Sequence, residues 1–153
     1  MRVIFIIAVI ASATCTSLLP GLAQEPEGAI GAYVAVLTEI DASAKLFIGP
    51  RSADPTGFPS KAFFEKLLPF LHERGIEAAY CRPGCLRGND SARNIRVVLS
   101  EAVLGDGGYW ITVSRWGSFG SHPLAGWVID ERFLVVERDG RWQVERKESL
   151  RIS

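Results

Sequence analysis

The chain has 153 residues with 17 basic and 17 acidic side chains, so its formal net charge is zero with histidines neutral. A balance of this kind gives no global electrostatic attraction to nucleic acid or to an anionic membrane surface, and neither is expected as a partner. Only three cysteines and two histidines are present, which leaves little material for a metal centre.

The N-terminus reads MRVIFIIAVIASATCTSLLPGLAQ. One charge at Arg2, an apolar run from Val3 to about Ala13, Pro20, and then Gly21 and Ala23 at the third-last and last places before Gln24 fit a signal peptide over residues 1–23. The run is shorter than the roughly 20 residues a membrane span needs. A lipid anchor on Cys15 is the alternative, but Ser12-Ala13-Thr14 lacks the apolar residue a lipobox places there. Cutting after residue 23 leaves 130 residues, enough for one domain, 24–153, and removes Arg2; 16 basic and 17 acidic residues then give a net charge of −1. The expected product is a soluble periplasmic or secreted domain without a membrane span.

From Glu27 onward Ile30, Tyr33, Val34, Leu37 and Ile40 recur at helical spacing, with Glu25 and Glu27 near the positive end of the dipole. Residues 49–60, GPRSADPTGFPS, read as a loop. Ser60 then caps a second helix, KAFFEKLLPFLHER, which turns Phe63, Phe64, Leu67, Leu68 and Leu71 inward; Pro69 is expected to kink or divide it and Gly75 to stop it.

Next comes AAYCRPGCLRGND, residues 78–90. In an oxidising compartment Cys81 and Cys85 are expected to pair, because Pro83-Gly84 is a turn dipeptide that brings them together. Closing so short a loop contributes about 2 kcal/mol. A redox centre would have the two-residue spacing of thioredoxin-type sites. A metal site would need more ligands than His72 and His122 supply, since neither histidine sits at ligand spacing. Arg82, Arg87 and Arg93 surround the single acid Asp90, which makes this loop either an anion attractor or an ordinary solvated segment. Asn89-Asp90-Ser91 is a glycosylation sequon only in a eukaryotic host.

After Asn94 the pattern becomes extended, with strands expected at 95–104, 109–116, 126–138 and 141–152. Asp139-Gly140 between the last two favours a two-residue hairpin. The expected fold class is therefore α+β, with the N-terminal helices packed on one face of a curved four-stranded antiparallel sheet. This order of elements, with IGAYVAVLTEI at 30–40 and the terminal RDGRWQVER carrying Asp139-Gly140-Arg141-Trp142, resembles the nuclear-transport-factor-2-like, cystatin-like group of small exported proteins. The resemblance implies a cystatin-like roll whose concave sheet face lines a pocket. It does not select an activity, because that group holds enzymes, binding modules and proteins without known activity.

A regular hairpin at Asp139-Gly140 would put Val135 opposite Val144, Phe133 opposite Arg146, Glu131 opposite Glu148, Ile129 opposite Leu150 and Trp127 opposite Ile152. Glu131, Arg146 and Glu148 then form a candidate pocket cluster, with Arg146 relieving the repulsion between two carboxylates, one of which would serve as general acid or base. The alternative is a β-bulge between about 144 and 149 that turns these charges outward. The loop 117–126 is the second candidate surface. Trp116, Phe119, His122 and Trp127 would present aromatic groups to a partner, or Phe119 and Leu124 would close the core.

Ser118 lies in Gly117-Ser118-Phe119-Gly120, which is not a nucleophile elbow, and no phosphate-binding glycine loop occurs. No cofactor is called for. The reading is a non-catalytic exported domain binding a small molecule or a protein of the cell envelope. Its alternatives are a cofactorless enzyme using Glu131 or Glu148, and a secreted inhibitor or immunity-type protein presenting loop 117–126.

Overall fold

The computed structural model describes residues 27–40, 43–52, 57–85, 94–118 and 126–152. The expected signal segment, Cys15, Phe119, His122, Leu124 and the basic residues Arg87 and Arg93 lie outside them. Among the described residues no helix is long and apolar enough to cross a membrane.

A 3-10 turn at Glu27–Ala29 leads into helix α1, Ile30–Thr38. Its inward residues Tyr33, Val34 and Leu37 are buried together with Ala32 and Val36. Helix α2 spans Lys61–Glu73, and Ser60 caps it by accepting the Phe63 N–H at 3.0 Å. Gly75, at φ +71°, ends it: the Gly75 N–H reaches the His72 carbonyl and the Ile76 N–H the Leu71 carbonyl, both at 2.9 Å. Pro69 does not divide α2. It sits on the exposed side, where water can take the carbonyl that the missing N–H leaves free.

The strands are β1 Lys45–Ile48, β2 Ala78–Tyr80, β3 Asn94–Leu99, β4 Val103–Gly105, β5 Gly108–Ser118, β6 Gly126–Arg138 and β7 Arg141–Ile152. They form one sheet in the order β2-β1-β3-β5-β6-β7, with β4 paired to β5. This corrects the expected four-stranded antiparallel roll: the sheet has seven strands and is mixed, because β1 runs parallel to both β2 and β3. The two unforeseen strands, KLFI and AAY, are too short to show a clear alternation, and they pair only after α2 has carried the chain across. The expected strand 95–104 is two strands. Between them the Ser100 N–H donates to the Thr112 carbonyl, the Ser100 hydroxyl accepts the Thr112 N–H at 2.8 Å, and the Ser100 carbonyl accepts from the Tyr33 hydroxyl at 3.0 Å.

One sheet face carries the main core, where Leu46, Ile48, Val97, Leu99, Ile111, Val113, Phe133 and Val135 meet both helices. Val144 and Trp142 pack at its margin, and α1 comes so close to β7 that a Cβ on Gly31 would overlap the Trp142 ring. On the opposite face Trp110, Leu134 and Val136 form a second, smaller cluster. Asp139 and Gly140 both have positive φ, as a tight hairpin turn requires, and Arg138 faces Arg141.

Candidate functional site

Away from that turn the last hairpin is not regular. Val135 faces Val144, but Leu134 faces Arg146, so Glu145 is an extra residue on β7; a second shift between Asp130 and Glu131 leaves Leu150 without a partner on β6. Phe133 consequently faces Lys147 instead of Arg146, Glu131 faces Ser149 instead of Glu148, and Ile129 faces Ile152.

A one-residue slip moves side chains to the other face, and the expected Glu131, Arg146 and Glu148 cluster is split by it. Glu131 stays on the main-core side and is buried, at 4% exposure. Its Oε2 takes the Arg115 guanidinium at 2.5 Å and its Oε1 the Lys147 ammonium at 2.7 Å. Arg146 and Glu148 lie on the opposite face with Arg132. Glu148 is 3.7 Å from Arg132 and 3.8 Å from Arg146, and the Arg132 guanidinium sits 3.8 Å from the centre of the Trp110 ring. Each oxygen of Glu131 thus carries a cation, which is the arrangement of a structural ion pair.

Trp116 and Trp127 are also on opposite faces, here in a regular register that sets Trp127 against Gly117. Trp127 packs against the main core, its ring lying over the backbone of Gly117. Trp116, opposite Val128, projects to the other face. There it meets a residue that the pattern of the sequence did not single out, Arg96 of β3, which pairs with Phe47 on one side and with Trp116 on the other.

Arg96 is only 5% exposed. The loop after β1 and the turn after β2 fold over it: one terminal nitrogen donates to the Cys81 carbonyl at 2.6 Å, the other to the Pro50 carbonyl at 2.7 Å. Gly49 makes this closure possible, since a Cβ there would overlap the Cys81 carbonyl. Burial pushes the Arg96 guanidinium below its ordinary value and Tyr80 works against that shift, but a guanidinium remains charged at neutral pH. Among the described residues no carboxylate pairs with it.

Cys81 and Cys85 sit at disulfide distance, with Cα atoms 5.7 Å apart. Their turn supplies one wall of a cavity of about 140 Å³ lined by Arg51, Pro83, Gly84, Cys85, Arg96 and Trp116. It combines a buried positive charge, an exposed one and a flat indole. Two guanidinium groups beside an indole ring are a donor set suited to holding an anion. A larger groove of about 600 Å³ lies between α1, the end of α2 and the start of β7. Its charged residues among those described, Glu39, Glu73, Arg74 and Arg141, are all exposed.

Arg96 escaped notice because Ile95, Val97 and Leu99 alternate with it, which makes it read as an ordinary outward residue of a half-buried strand. The available signal was Val98, an apolar residue on that same outward side and itself buried, which marks the face as covered. No family model, curated protein or solved structure matches the chain.

Proposed function

We propose that the chain is an exported, non-catalytic domain that binds a small carboxylate or comparable oxyanion in the cavity formed by Arg51, Arg96 and Trp116. The observation that carries this reading is Arg96: a buried cation whose described partners are neutral carbonyls retains a positive charge that an entering anion neutralises. Arg51 adds a second charge at the mouth, and Trp116 favours a ligand with a flat body. The N-terminal reading and the cysteine pair support export, because such bridges persist in oxidising compartments. The general-base alternative has less support, since Lys147 and Arg115 occupy the two oxygens of Glu131.

Benzoate, a planar carboxylate small enough for the cavity, is the probe. Calorimetric titration of the oxidised protein is expected to show one site. Arg51→Glu, which replaces an exposed attractive charge by a repulsive one, is expected to weaken binding by about 2 kcal/mol while leaving the melting temperature unchanged. Equal affinity in the two proteins would remove the cavity as the site.

A further inference from the structure

The turn from Cys81 to Cys85 holds Arg96 by the Cys81 carbonyl at one end and lines the anion cavity with Cys85 at the other, and the two ends are held differently. Cys81 belongs to the sheet: its N–H donates to the Ile48 carbonyl at 2.9 Å, its side chain is buried, and its carbonyl takes Arg96. Cys85 is exposed, and its described backbone hydrogen bond, to the Arg82 carbonyl at 3.1 Å, stays inside the turn itself. Gly84, at φ +82°, takes a left-handed backbone conformation that glycine adopts without strain. Among the described contacts, the bridge is what ties the wall made by Pro83, Gly84 and Cys85 to the sheet.

We propose that the Cys81 to Cys85 bridge is a redox latch on this cavity, one that holds the anion-binding wall in place when oxidised and releases it when reduced. The inference rests on the anion reading above. A dithiol reductant attacks the exposed Cys85 sulfur as thiolate, forms a mixed disulfide and expels Cys81 as thiolate. The second thiol of the reductant then displaces Cys85, so the reductant ends as a disulfide and the protein as two thiols, with two electrons and two protons transferred. The sheet hydrogen bond of Cys81 and its carbonyl contact with Arg96 do not involve sulfur, so the fold and the buried charge remain while the wall opens.

The test is a benzoate titration of the oxidised protein, of the protein reduced with dithiothreitol, and of Cys85→Ser, which leaves the buried Cys81 side chain in place. Circular dichroism is recorded in parallel. The expected result is affinity at least tenfold weaker in the reduced protein and in Cys85→Ser, an unchanged spectrum, and recovery on reoxidation of the wild type only. Equal affinity in both redox states would overturn the latch and leave the anion site standing. Absence of binding in both states would overturn both. Unfolding of both the reduced protein and Cys85→Ser would give the bridge a global role and overturn the local one.

Discussion

Replacing Arg96 by methionine is expected to lower stability by about 3 kcal/mol. Methionine fills a similar volume, so the loss is not a cavity effect. It arises because the Cys81 and Pro50 carbonyls, both turned onto the guanidinium, are left without donors in a covered site. An orphaned buried acceptor costs about 1–3 kcal/mol, and relief from burying the charge offsets part of the sum. At roughly 3 °C per kcal/mol for a chain of this size, the melting temperature should fall by about 10 °C. Arg96→Lys keeps the charge but not the fork that spans two carbonyls, so it should recover only part of the loss. An unchanged melting temperature in Arg96→Met would mean that the loop after β1 and the turn after β2 are not fastened by this side chain.

Glu131→Gln is expected to cost about 3 kcal/mol, because it leaves Arg115 uncompensated where its side chain is only 13% exposed. The Arg115 Nε is buried without a hydrogen-bond partner, so among the described residues Glu131 is the acid that balances this guanidinium. Lys147 is about half exposed and can turn to water, which keeps the loss from being larger. Thermal melts in low and high salt test this. The deficit should persist in both, since a buried pair is screened far less than a surface one. A melting temperature equal to or above that of the wild type would instead mark Glu131 as a carboxylate kept at a cost to stability, as a general acid or base would be.

Where the sequence was legible, the signals were local. Asp139-Gly140 needs positive φ at both positions and announces its turn; Ser60 and Gly75 bracket α2; Phe63, Phe64, Leu67 and Leu71 mark its buried side. Where it was not, the cause was non-local pairing. Four residues of β1 and three of β2 carry too little alternation to declare themselves, and only the crossing of the chain through α2 makes them neighbours. The charged cluster shows the same limit at finer scale. The turn set the first pairs of the β6–β7 hairpin, but the bulge at Glu145 separated Glu131 from Arg146 and Glu148. Arg96 required more still: its burial depends on segments around residues 50 and 81 arriving over a face that its own strand leaves open.

The most direct measurement is a benzoate titration of the oxidised, isotopically labelled protein, followed by nuclear magnetic resonance at the indole and guanidinium N–H groups. The four tryptophans report on separate places: Trp116 lines the cavity, Trp110 lies under Arg132, Trp127 packs on the core and Trp142 lines the larger groove. Saturable shifts confined to Trp116, Arg51 and Arg96 are the expected result. Shifts centred on Trp142, or none at Trp116, would contradict the assignment of the anion site.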